Sequence, residues 1–237
     1  MRNGLVMPVL AAVLCTAACG GDGPTASGPS ARVRFFNATT GMTGSGAFPA
    51  NGQFVSGSAL AFGQATQSCP TVAAGSTSFG FGAASTGGTG LSGNALGMLN
   101  DQRITDGGSF TMVVTGSATS PQLYLLDNSF PGTLASNQAA VRFVNLAPGP
   151  NPIPNVFVVF ANGLPPQGSL IASNVFVGTP TAFRTVTSGA NAIMAMVGHD
   201  LSTRTDATLN LQAGTVNTIA IVSRPSGGFQ FINIPRC

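Results

Sequence analysis

Residues 33–37 read VRFFN and residues 141–145 read VRFVN, so one short segment recurs 108 residues later in the chain. Each copy is rich in bulky apolar side chains and ends in Asn, a residue that favours turns, which predicts a β-strand followed by a turn. Two further pairs of segments recur in the same order, residues 72–75 with 186–189 and residues 108–114 with 214–220. This repetition predicts two tandem modules of about a hundred residues, joined near residues 131–138.

The chain beyond residue 30 consists of short apolar runs broken by Gly, Pro, Asn and Ser. In residues 215–222, TVNTIAIV, alternate positions place apolar side chains on both faces, as in a strand that is covered on both sides. No segment carries a helical apolar stripe over three turns. We therefore expect an all-β fold, with one β-sandwich module over residues 31–132 and a second over residues 138–237, of an immunoglobulin-like or transthyretin-like kind. Strands are predicted near residues 33–37, 110–115, 123–126, 141–145, 156–160, 192–197, 215–223 and 229–232.

The charge inventory is small and uniform, because all nine basic residues are Arg and all six acidic residues are Asp. Chemistry that needs a Lys Schiff base or a Glu acid is therefore excluded. A net charge of +3 with no basic stripe gives nucleic-acid binding almost no electrostatic support. The 43% of apolar residues is enough to build a core, so we expect a folded chain.

The N-terminus has the plan of an export signal. Arg2 precedes an apolar run over residues 5–14, which is too short to span a bilayer as a helix. The small residues Thr16, Ala17 and Ala18 then precede Cys19, a pattern that resembles a bacterial lipobox, in which the Cys receives a lipid and becomes the mature N-terminus. We expect residues 1–18 to be a lipoprotein signal peptide and residues 19–30 to be a lipid anchor and flexible tether. An ordinary signal peptide cut near Ala18, with a free thiol at Cys19, is the alternative.

Two of the four cysteines remain once Cys15 is removed with the signal and Cys19 carries lipid. In an oxidising compartment Cys69 and Cys237 are then predicted to form a disulfide, with two unpaired thiols as the alternative. We expect no metal site, since the only imidazole is His199 and no ligands with metal spacing surround it.

The repeated segments resemble the bacterial secreted family known as domain of unknown function 4397, in two copies that cover residues 31–237. In this family an Ala-Pro or Ser-Pro commonly follows the first strand; the second copy has Ala147 and Pro148 there, whereas the first has Ala38 and Thr39. The resemblance implies an extracytoplasmic β-sandwich and brings no activity and no catalytic residues.

The remaining polar residues predict no catalytic constellation. His199 is interpreted as a solvated turn residue, and the pairs Asp101 with Asp106 and Asp200 with Asp206 are placed in polar stretches before strands, as loop ion pairs. Arg34 and Arg142 recur at equivalent strand positions and are expected to face outward, where a charge deters edge pairing.

We therefore expect a non-enzymatic cell-envelope lipoprotein with a structural, adhesive or ligand-presenting role and no cofactor. It would be exported to the outer membrane or cell surface, with the periplasmic face as the other location. Its partners would be the membrane, through the lipid, and an envelope or surface polymer or protein. The alternatives are a hydrolase that acts on envelope polymers through Asp pairs and a module that captures a small ligand in an apolar pocket.

Overall fold

The computed structural model describes residues 28–55, 57–147, 156–160, 169–173, 175–197, 200–224 and 228–237. These residues form β-strands and connecting turns, without a helix, which confirms the all-β fold. No helix in the described ranges is long and apolar enough to cross a membrane. In chain order the strands are β1 (Ser30–Asn37), β2 (Gly46–Ala47), β3 (Pro49–Ala50), β4 (Gln53–Phe54), β5 (Thr71–Ala73), β6 (Gly75–Ala83), β7 (Gly97–Ile104), β8 (Ser109–Ser117), β9 (Ser120–Asp127), β10 (Gln138–Asn145), β11 (Val156–Phe160), β12 (Ser169–Ala172), β13 (Arg184–Thr187), β14 (Gly189–Val197), β15 (Asp200–Leu211), β16 (Val216–Ser223) and β17 (Phe229–Pro235).

The strands form four sheets, two in each half of the chain. In the first half, β2, β3, β4, β6 and β7 form sheet 1, and sheet 2 has the order β5-β1-β8-β9. In the second half, sheet 3 has the order β13-β10-β16-β17 and sheet 4 has the order β12-β11-β14-β15. Sheets 2 and 3 share one topology, because each has a central parallel pair, β1 with β8 and β10 with β16, flanked by antiparallel strands. The sequence repeat is therefore also a repeat of strand order.

The sheets stack in the order 1, 2, 3, 4, with an apolar layer between each pair of neighbours. Phe35 and Phe79 lie in the first layer, between sheets 1 and 2, and Phe143 and Ile193 lie in the third, between sheets 3 and 4. The middle layer joins the two halves and includes Phe36, Val113, Leu126, Val144, Ala220 and Ile234. Because sheets 2 and 3 are covered on both faces, their strands carry apolar side chains on both faces.

The middle layer is built from matching positions of the repeat. Phe36 and Val144 lie 108 residues apart, and so do Leu126 and Ile234. Sheets 2 and 3 therefore pack against each other through equivalent faces, as the two subunits of a two-fold symmetric dimer do.

Each of the eight predicted strand segments falls on an observed strand, but two long polar strands were not predicted. Asp101 lies in β7, and Asp200 and Asp206 lie in β15, so the placement of these residues in stretches before strands was wrong. The described side chains of β7 are mostly exposed or half-buried. An edge strand is held mainly by backbone hydrogen bonds, so its sequence need not alternate between apolar and polar residues.

Candidate functional site

An open groove of about 570 Å³ lies between two strand edges in the first half. On one side are β4 and the turn before it, and on the other is β5, the edge strand of sheet 2. The buried side chains Val55 and Val72 lie at its base, and Asn51, Gln53 and Thr71 contribute polar groups to its rim. At the opposite side of the sandwich β7 packs beside β9. The groove is therefore the open seam of the first sandwich.

The β3–β4 hairpin that forms one wall depends on a two-residue turn, Asn51 and Gly52. Both have positive φ angles, 48° and 76°, as a type I′ turn requires, and Asn-Gly is the preferred pair for that turn. Asn51 also fixes the hairpin to β6, because its Oδ1 accepts from Ser78 N at 2.8 Å and its own N–H donates to Ser78 O at 2.7 Å. The tight turn and the two hydrogen bonds to Ser78 therefore make this wall a preformed surface.

None of the residues that line the groove is charged. The lining consists of Ala50, Asn51, Gln53, Phe54, Val55, Ser68, Pro70, Thr71, Val72 and Ala73. It holds hydroxyl and amide groups above an apolar base, without a carboxylate, an imidazole or a thiol among the lining residues. Such a surface suits a neutral ligand that offers hydrogen-bonding groups and some apolar area.

A smaller apolar cradle of about 250 Å³ lies behind the same hairpin and shares Phe54 with the groove. Gly80 lies at its base, because a Cβ there would meet Pro49 Cγ at 2.9 Å and Met98 Sδ at 3.1 Å. Met98 at the rim is 53% exposed. The hairpin therefore has a recess with a polar rim on one side and an apolar recess on the other.

Arg142 lies at one end of the middle layer and joins the two halves. It is only 5% exposed, and its guanidinium donates to Thr218 Oγ1 at 3.0 Å, to Asp127 O at 2.6 Å and to Asn128 Oδ1 at 2.8 Å. Its Cζ also lies 4.6 Å from the centre of the Phe183 ring. Burial lowers the pKa of Arg142 to about 10, although Asp127 acts in the opposite direction. The side chain therefore binds the end of β9 to sheet 3.

Arg34 occupies the equivalent position at the other end of the middle layer. Its Nη1 donates to Thr66 O, and its Nη2 lies 3.2 Å from Cys69 Sγ. The side chain is 9% exposed, and burial lowers its pKa. Cys69 and Cys237 lie at disulfide distance, with Cα atoms 5.7 Å apart, so the cysteine pair lies between the two halves.

The prediction that Arg34 and Arg142 face outward was therefore wrong. They share a strand face with Phe36 and Val144, and that face is covered by the other half of the chain. Alternation in the sequence indicates which residues share a face but does not indicate what covers the face.

The other residues of the repeated motif are also structural. Val33 and Phe35 lie in the first apolar layer. Asn37 is buried, and its side chain donates to Leu60 O at 2.8 Å and accepts from Thr39 N at 2.9 Å. In the second copy Asn145 Oδ1 accepts from Ala147 N at 2.9 Å in the same way. The repeated motif therefore specifies a strand, the contact between the two halves and a turn, and it contributes no side chain to the groove.

The acidic residues do not come together in the described part of the chain, where no group of three or more potential metal ligands occurs. Asp101 accepts from Ser76 Oγ at 3.3 Å, and Asp106 accepts from Ser30 N at 2.8 Å. Arg204 and Asp206 form an ion pair at 2.7 Å, within β15 and not in a loop. Cys19, His199 and the signal segment lie outside the described residues.

The arrangement defines an all-β protein of stacked sheets with an open seam. Residues 31–156 match the sequence profile of the family described as Domain of unknown function (DUF4397). The match covers more than half of the chain, so the chain belongs to this family. The matched region includes the first half and continues into β11 of the second. Comparison with curated proteins found no match.

Proposed function

We propose that this protein is a non-enzymatic envelope lipoprotein that holds a neutral envelope or surface polymer, or a partner protein, in the groove between β4 and β5. A lipid on Cys19 anchors the chain, and residues 20–30 link the anchor to the stacked sheets. The groove carries this proposal, since it is preformed, has a polar rim above an apolar base and has no charged lining residue.

We also propose that the two halves are tandem copies of the family module, over residues 31–132 and 138–237. The identical strand orders of sheets 2 and 3 support this division, and so does the matched construction of the middle layer. An apolar layer holds the two halves as one stacked body, and the groove lies in the half that begins at β1, where the tether arrives. Such a body suits presentation of a surface better than a hinged reaction cycle.

Co-sedimentation of the purified chain with isolated cell envelopes tests the proposed binding. Thr71 is exposed on β5 at the groove, so Thr71→Arg places a bulky charge in it and should release most of the bound protein. Thr185→Arg is the matched control, because Thr185 pairs with β10 as Thr71 pairs with β1 and is also exposed. Binding should change little with salt, since the groove is uncharged. Equal loss in both variants, or none in either, would refute the groove as the binding site.

A further inference from the structure

The cysteine pair lies in an asymmetric environment. Cys69 Sγ receives an N–H donor from the Arg34 guanidinium, whereas the described contacts of Cys237 Sγ include no such donor. The guanidinium is held in place by Thr66 O and by Gln67 O at 3.5 Å. Both cysteine residues are partly exposed, as attack by an external thiol requires.

A fixed cation beside one sulfur makes that sulfur the better leaving group. A nearby Arg stabilises a thiolate and lowers the pKa of its thiol, and a lower thiol pKa speeds departure in thiol–disulfide exchange. Arg34 has no carboxylate within ion-pair distance among the described residues, so its charge is not neutralised by a close partner. Cys69 should therefore leave as the thiolate, and an incoming thiolate should attack Cys237.

We propose that Cys69 and Cys237 form a thiol–disulfide exchange site for an extracytoplasmic dithiol. One thiolate of the dithiol attacks Cys237 Sγ, the bond between the two cysteines breaks, and Cys69 departs as a thiolate beside Arg34. The second thiolate of the dithiol then displaces Cys237 and closes the disulfide of the reagent. Two electrons pass from the dithiol to the cysteine pair, and two protons from the dithiol end on Cys69 and Cys237.

At the opposite end of the middle layer, an aromatic pair takes the place of the cysteine pair. There Arg142 lies against Phe183, and Phe183 packs edge-on against Phe130 with ring centres 5.7 Å apart. The two ends thus have equivalent arginines but different closures, an aromatic pair at one and a cysteine pair at the other. Reduction would free one end while the apolar middle layer and the Arg142 contacts keep the halves together.

The first test measures ionisation of each thiol. In the full chain carrying Cys15→Ser and Cys19→Ser, the variants Cys237→Ser and Cys69→Ser each leave one thiol, whose ionisation is followed by the ultraviolet absorbance of the thiolate. Cys69 should be roughly tenfold more ionised at neutral pH than Cys237, because a neighbouring cation lowers a thiol pKa by about one unit or more. Adding Arg34→Gln should remove the difference. Equal ionisation of the two thiols in the variants that retain Arg34 would overturn the proposal.

The second test locates the attacked sulfur. The two-cysteine chain, shown by mass to be oxidised, is mixed briefly with glutathione, quenched in acid, alkylated and mapped by peptide mass. Glutathione should be found mainly on Cys237 and the alkyl group mainly on Cys69, and Arg34→Gln should slow the reaction about threefold. Arg204→Gln is the control, because it removes one positive charge at an exposed position in β15 where Arg204 pairs with Asp206, and it should leave the rate unchanged. Glutathione mainly on Cys69, or equal slowing in both variants, would contradict the assignment.

Discussion

Replacing Arg142 with Met tests how the two halves are joined. The variant keeps an apolar stem but removes three hydrogen bonds, to Asp127 O, Asn128 Oδ1 and Thr218 Oγ1. A bond from a charged donor contributes roughly 1.5–3 kcal/mol, and a buried acceptor left without a partner costs about as much. Burial lowers the pKa of Arg142 to about 10, so burial opposes the charged form by about 3 kcal/mol and offsets part of this loss. We therefore expect Arg142→Met to lower the free energy of unfolding by about 2–5 kcal/mol.

Urea unfolding measures this change with two signals, because the chain has no Trp and only one Tyr. Tyr124 packs in the middle layer, so its fluorescence reports the contact between the halves, while far-ultraviolet circular dichroism reports the strands. Arg204→Met is the control, because its ion pair with Asp206 is exposed and should contribute little to stability. If Arg142→Met lost no more stability than Arg204→Met, the claim that this side chain joins the halves would be refuted.

Three further predictions follow from the same interface. First, the free energy of unfolding of the wild type relative to that of Arg142→Met should rise by about 1.4 kcal/mol from about pH 9 to about pH 11. The reason is that the folded pKa of Arg142 lies below its usual value, so the unfolded chain binds more protons than the folded chain in that range. A difference between the two proteins that does not change with pH would contradict this. Second, Gly178→Ala should lower the free energy of unfolding by about 3 kcal/mol, because Gly178 has φ +72° and a Cβ there would overlap the Tyr124 ring. In the control Gly214→Ala, where φ is +74° but the space is open, the loss should be only about 1 kcal/mol. Equal melting temperatures of the two variants would argue against close packing at Tyr124. Residues 138–237 expressed alone should form a dimer through the exposed face of sheet 3, and Val144→Asp should prevent it; a folded monomer in sedimentation would disprove the equivalence of the two faces.

Much of the strand arrangement could be predicted from the sequence, because central strands carry the apolar pattern on which such predictions depend. β1, β10 and β16 are covered on both faces and are rich in apolar residues. β7 and β15 carry Asp, Arg, Thr and Asn, so their pairing with β6 and β14 could not be read from hydropathy. The packing of sheet 2 on sheet 3 was also hidden, because Arg34 and Arg142 look like solvent-facing residues until their acceptors are known.

The groove was missed for a related reason. Its lining residues, such as Thr71 and Gln53, are neutral and come from separate segments, so neither charge nor spacing marks them as a set. One local signal was present, because Asn51 and Gly52 form the turn pair that favours a tight hairpin. The repeated motif residues build the sheets that carry the groove and do not line it.

Membrane fractionation of cells producing the wild type or Cys19→Ala tests the proposed envelope role most directly. We expect the wild-type protein to sediment with envelope membranes, resist salt extraction and dissolve in detergent, because the proposed lipid on Cys19 would anchor it. The Cys19→Ala protein should appear in the soluble extracytoplasmic fraction. A wild-type protein that is already soluble, or a variant that stays with the membrane to the same extent, would contradict the lipoprotein account.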